Sequence, residues 1–139
     1  GTKATVESEL YQRGLNALGI HADGLAIPEL AGAIERGEDV DQIDTLVRDA
    51  FSSIAIEKYQ IVLLGCTHYP LVTESFKKVL PSSVILFDPA EPIATEVAKR
   101  FHVDGNGTAR FILSADSPVF RQYVTSMIFR DAPIEILSV

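Results

Sequence analysis

One hexapeptide concentrates the reactive side chains of this sequence: Gly65-Cys66-Thr67-His68-Tyr69-Pro70. It follows a short apolar run, Ile61-Val62-Leu63-Leu64, and precedes a segment with helical spacing of its apolar residues. A thiol at such a strand-to-helix junction would face the positive end of a helix dipole and unpaired backbone N–H groups, both of which favour thiolate over thiol. His68 could hydrogen-bond the sulfur or a substrate, or pass protons to solvent. Thr67 offers a hydroxyl and a backbone N–H to a carboxylate. Gly65 would let the backbone approach a ligand closely. A free cysteine is more often buried filler than a reactive group, but a polar loop at a strand end is a poor place for packing. His21 and His102 each stand singly near loop or helix ends and read as surface or packing residues.

The elements that must position this loop follow from hydrophobic period. Val6, Leu10, Leu15 and Leu18 recur at near-helical spacing from Thr2 to Leu18, with Thr2, Thr5 and Ser8 as candidate caps, and Gly19 closes the helix. Ala22 to Ile27 reads as a weak strand interrupted by Asp23 and Gly24. Pro28 suits the first turn of a short helix running through Arg36 to Gly37. Asp39 or Asp41 caps the clearest amphipathic helix, with Ile43, Leu46, Val47, Ala50, Phe51 and Ile54 on one stripe.

Ile61 to Leu64 is short and fully apolar, as in a parallel strand covered on both faces. A helix from about Leu71 to Leu80, a strand at Val84 to Phe87 and a helix from about Glu91 to Phe101 follow. A Gly-rich turn at Gly105 to Gly107 then leads to a strand at Phe111 to Leu113. Asp116 or Ser117 caps a last helix with Phe120, Tyr123, Val124 and Met127 inward, before a strand-like Ile134 to Leu137. Strands separated by helices predict an α/β protein, doubly wound around a parallel sheet. In such sheets ligands bind at the carboxyl ends of strands, which is where Cys66 falls.

Composition narrows the function classes. With 139 residues, 47% apolar and 22% charged, the chain matches one globular unit. No apolar run approaches the ~20 residues of a membrane span. Twelve basic against nineteen acidic residues give a formal charge of −7, and no Lys/Arg cluster is present, so neither nucleic acid nor membrane is an expected partner. The single Cys rules out an internal disulfide and a Cys-based zinc cage, and it suits a reducing, cytoplasmic setting. A start at Gly1-Thr2-Lys3 without an initiator Met reads as a piece of a longer chain.

The string Leu64-Gly65-Cys66-Thr67-His68-Tyr69-Pro70-Leu71 resembles the second catalytic-cysteine motif of glutamate racemases. Gly1-Thr2-Lys3-Ala4-Thr5-Val6-Glu7-Ser8, with Tyr11, is similar to the family's Gly-Thr-x-x-Thr segment, which lines the substrate pocket and opens the second lobe. Asp88-Pro89-Ala90-Glu91 with Ala94 resembles the start of its next helix. Arg110-Phe111 through Asp116, then Phe120, resembles its closing strand and helix. One stretch departs from the pattern. Where most members read apolar-Pro-Leu-Val-Glu, with the acid near the catalytic histidine, this chain reads Leu25-Ala26-Ile27-Pro28-Glu29-Leu30-Ala31. Alignment on the proline puts Ala31 at the acidic position, with Glu29 as the nearby substitute.

The resemblance implies one lobe of a two-lobed racemase fold over residues 1–101, a parallel sheet with helices on both faces. Residues 102–139 would form a C-terminal segment that packs on the absent N-terminal lobe. It implies conversion of L- to D-glutamate for peptidoglycan synthesis, without pyridoxal phosphate or metal, by two cysteines on opposite faces of the α-carbon. Cys66 would be one acid/base and His68 its assistant; Thr67 and His68 would contact glutamate, and Thr5 and Thr2 would add hydroxyls. The other thiol would lie in the missing N-terminal half, so this fragment alone is expected to be inactive. Glutamate, that half and, failing it, a second copy in a homodimer are the expected partners. The alternatives are a racemase of aspartate or another amino acid, a Cys–His hydrolase pair, or a non-catalytic ligand-binding module. In the aspartate branch Glu commonly stands where this chain has His68.

Overall fold

The computed structural model describes residues 1–101, 107–126 and 131–137, so the expectations resting on His102, Gly105 and Met127 lie outside the described residues. The chain divides into two compact units, Gly1–Thr95 and Glu96–Val139.

In the first unit, Thr2 accepts from the Thr5 amide and caps α1 (Lys3–Glu7). The expected continuous first helix is broken: Glu9 sits in the left-handed region at φ 54°, and α2 (Leu10–Ala17) starts afresh. Ser8 explains the stop, because its hydroxyl donates back to the Thr5 carbonyl and accepts from the Leu10 amide, competing with the helical ladder.

α3 (Leu30–Arg36) ends at Gly37, whose φ of 69° lets the Glu38 amide reach back to the Ala33 carbonyl. Asp39 caps α4 (Val40–Phe51) through the Gln42 amide. β1 (Ile61–Leu63) pairs in parallel with β2 (Ile85–Phe87), Ile61 opposite Ile85 and Leu63 opposite Phe87. The connection between them is a 3-10 turn, Tyr69–Val72, followed by α5 (Thr73–Val79). The helix expected from Leu71 therefore begins two residues later, after a tighter turn that contains Pro70, a residue without an amide to donate. Asp88 accepts from the Ala90 amide at the start of α6 (Ala90–Arg100).

The expected strand at Ala22 to Ile27 belongs to no sheet. It has one ladder-like rung, from Gly1 N to Leu25 O at 2.8 Å and from Ile27 N to Gly1 O at 3.0 Å. A strand needs a partner along its length, and Gly1 supplies it at one residue.

The core lies between α3, α4, α5 and one side of the strands. Leu30, Ala33, Ile34, Ile43, Val47, Leu64, Tyr69 and Phe76 are buried together, with Leu86 packed against them. The Phe76 ring sits edge-on to Phe51 at 6.2 Å and tilted to Tyr69 at 5.6 Å. Side chains of successive strand residues alternate in side, so Ile61, Leu63, Ile85 and Phe87 share the opposite sheet face. That face is open: Ile61 is 53% and Ile85 60% exposed.

In the second unit, β3 (Phe111–Leu113) pairs in parallel with β4 (Ile134–Ile136), and the Leu137 amide continues the ladder to Leu113 O. Ser117 accepts from the Phe120 amide at the start of α7 (Pro118–Ser126), and Phe120 packs edge-on against Phe111 at 5.7 Å. The α/β class with parallel strands is thus present in both units.

Candidate active site around Cys66

β1 delivers the site. Leu64 is buried and still bonded through its amide to Phe87 O, which fixes the strand end from which Gly65 and Cys66 emerge. The Tyr69 amide then closes a turn onto the Cys66 carbonyl at 3.2 Å, and the Leu71 amide onto the His68 carbonyl at 3.0 Å. These turns bring Cys66 and His68 to the same side, with Cys66 Sγ 3.8 Å from His68 Nδ1. Thr67 is exposed between them. The helix-dipole expectation for the thiol loses force here, since Cys66 is followed by a 3-10 turn and α5 starts only at Thr73.

The other ring nitrogen of His68 has a partner that sequence reasoning did not find. Glu35 Oε1, on α3, lies 2.8 Å from His68 Nε2. Neither earlier candidate fills this role: Ala31 has no carboxylate, and Glu29 is exposed at the start of α3 with no side-chain capping bond. Glu35 is four residues beyond Ala31 on the same helix, and positions i and i+4 share a helix face. The signal was therefore available as an acid one helical turn beyond the aligned position.

The pair fixes how His68 can work. With Glu35 ionised, Nε2 carries the proton donated to Oε1. In neutral imidazole Nδ1 then faces Cys66 as a lone pair able to accept from a thiol. In imidazolium it faces Cys66 as a donor to a thiolate. Proton transfer between sulfur and ring thus needs no reorientation of His68.

The threonine segment comes to the same end of β1. A Cβ on Gly1 would lie 3.4 Å from the Gly65 carbonyl oxygen, and one on Gly65 would lie 3.4 Å from the Tyr11 ring. Both are ordinary van der Waals distances, so the segments are in contact here without either glycine being required for space. Thr2 and Thr5 are half-buried, with their hydroxyls 2.8 Å apart. Thr2 also caps α1, so part of its hydrogen-bonding capacity is already used. His21 stands apart, exposed and 3.4 Å from Asp23.

Two surface cavities, of about 340 and 350 Å³, lie along α4 and α5, and neither is lined by Cys66 or His68. Among the described residues no group of three or more His, Cys, Asp or Glu side chains is placed to hold a metal. Likewise no helix among them is long and apolar enough to cross a membrane.

No family model matches the chain. It is 35% identical over 107 residues to the glutamate racemase of Koribacter versatilis (strain Ellin345), an alignment covering 74% of this chain and 37% of that protein. It is 30% identical over 148 aligned positions to glutamate racemase 1 of Caldanaerobacter subterraneus subsp. tengcongensis, covering 99% of this chain and 55% of the relative. Among solved structures, the glutamate racemase of Thermus thermophilus in complex with β-chloro-D-alanine superposes with a TM-score of 0.79 at 29% identity, over 100% of this chain and 55% of that one. The chain thus spans about half the length, or less, of the relatives it matches.

Proposed function

We infer that this chain, a relative of the glutamate racemases over about half their length, supplies one of the two acid/base faces of such an enzyme. The observation that carries the reading is the line Cys66 Sγ, His68 Nδ1, His68 Nε2, Glu35 Oε1 at the carboxyl end of β1. Inversion at an α-carbon requires a base that takes the proton from one face and an acid that delivers a proton to the other. In one direction Cys66 as thiolate takes the α-proton, and the electron pair left on carbon is spread into the α-carboxylate. A second thiol, from outside this chain, protonates the opposite face. In the other direction Cys66 as thiol is the donor. Cys66 is the only cysteine of the sequence, so one chain cannot serve both faces.

His68 would relay the proton held on sulfur, with Glu35 keeping its ring in register. The exposed Thr67 would present its hydroxyl and backbone N–H to a substrate carboxylate, with His68, Thr5 and Thr2 completing this wall. No cofactor is required by this chemistry. The product, D-glutamate, would serve peptidoglycan synthesis in the cytoplasm, where a free thiol stays reduced. The remaining half of the enzyme is the expected partner, and the open apolar face of Ile61, Leu63, Ile85 and Phe87 is one surface it could cover. Residues 1–101 would be the lobe bearing Cys66, and residues 102–139 the segment returning to the other lobe.

Solvent-deuterium exchange tests this. The chain combined with the upstream half should place deuterium on the α-carbon of glutamate, and Cys66→Ala should stop it on one face. Deuterium exchange unaffected by Cys66→Ala would refute the assignment. A stable acyl-enzyme on Cys66 would instead indicate a hydrolase.

A further inference from the structure

Tyr69 is 1% exposed, yet its hydroxyl is fully engaged: it lies 3.0 Å from the Gly1 carbonyl oxygen and 3.1 Å from that of Ile27. These are the two chain segments joined by the single rung described above, in which the Ile27 amide donates to Gly1 O. Downstream of Gly1 the chain leads directly to Thr2 and Thr5. Downstream of Ile27 it leads through Pro28 into α3, which carries Glu35. Tyr69 itself follows His68, and its amide is bonded to the Cys66 carbonyl. One phenol therefore touches all three segments from which the site is assembled. Its single proton is shared between two carbonyls, while the ring is held by Phe76 at 5.6 Å.

We propose that the Tyr69 hydroxyl is a positioning group that holds the Gly1–Thr5 segment and α3 in register with the Cys66–His68 loop. Burial, with Cys66 nearby, pushes the Tyr69 phenol far above the usual tyrosine range, so it remains a donor across the working pH range. Without it, Gly1 and Ile27 keep only their mutual rung, and the segment leading into α3 loses its backbone tie to the loop that His68 occupies, leaving the exposed Glu35–His68 contact to hold the register alone. The proposal rests on Cys66, His68 and Glu35 acting as one proton-handling site, but not on glutamate as substrate.

The test uses the chain itself. Cys66 is its only thiol, so alkylation by iodoacetamide, followed from pH 5 to pH 10, reports that site alone. The variants are Tyr69→Phe, Glu35→Gln and Val47→Ala. Tyr69→Phe keeps every ring contact and removes only the hydroxyl. Its pH profile should move from wild type towards that of Glu35→Gln, with a rate change at neutral pH between about twofold and tenfold, the range that one net hydrogen bond converts to. Val47→Ala loosens the same buried core from α4 and should retain the wild-type profile. A shift in Glu35→Gln with none in Tyr69→Phe overturns this proposal alone. An equal shift in Val47→Ala also overturns it, as general loosening. An unchanged Glu35→Gln profile overturns the relay and this proposal together, whatever the outcome for glutamate racemisation.

Discussion

Glu35 Oε1 meets His68 Nε2 at 2.8 Å across 33 residues of sequence. This contact is the clearest tie between α3 and the Cys66 loop, and it selects which nitrogen of His68 turns to the sulfur. The Glu35 side chain is 65% exposed and that of His68 32%, so the pair contributes little to folding and its value lies in orientation.

Glu35→Gln should therefore separate function from stability. Thermal unfolding of the chain should change by no more than about 1 kcal/mol. Turnover of the assembled enzyme should fall, but by less than the roughly hundredfold to ten-thousandfold that a direct acid/base contributes. His68→Asn should cost more turnover than Glu35→Gln, because it removes the relay and not only its support. Equal stability with full activity in Glu35→Gln would remove Glu35 from the site.

Asp44 gives a prediction about acid stability. Its Oδ2 is paired with Lys78 Nζ at 2.5 Å, which links α4 to α5. Hydrogen bonds from Lys78, then from Ser75, hold its carboxyl below the usual carboxylate range. A lowered folded-state value means that the stabilisation is present above the unfolded value of 3.8 and is lost as pH falls through the folded one. Asp44→Asn should thus lower the unfolding midpoint at neutral pH, and the gap from wild type should close below about pH 4. A gap independent of pH would show that the ion pair is not the cause.

Leu30 anchors α3 and is fully buried, five residues before Glu35. Leu30→Ala should destabilise the chain by about 2–5 kcal/mol, measured by urea unfolding. If α3 is the platform for Glu35, Cys66 alkylation should also become less dependent on Glu35, so that adding Glu35→Gln to Leu30→Ala changes the rate less than it does in wild type. Strict additivity of the two would place Glu35 outside that dependence.

The legible and illegible parts of this molecule have separate physical causes. The Cys66 loop could be read because a pure apolar run, a glycine and a proline are local signals that need no partner. Asp39 and Ser117 could be read as caps for the same reason. The break between α1 and α2 was missed because apolar spacing continues through it, while the Ser8 side chain, which that spacing ignores, ends the helix. The stretch ending at Ile27 reads as a strand but is paired only at Gly1, and pairing is not a local property. Glu35 was missed because counting from Pro28 fixes a position in sequence, whereas His68 is reached through space, one helical turn further along α3.

The most direct test is the fate of the α-proton. The chain alone, incubated with L-glutamate in deuterium oxide, should show little or no racemisation. Combined with the remaining half that the proposed function expects of the whole enzyme, it should yield D-glutamate with deuterium on the α-carbon, and Cys66→Ala should abolish that yield. Steady racemisation by the chain alone, or undiminished racemisation by the assembled Cys66→Ala variant, would contradict the account.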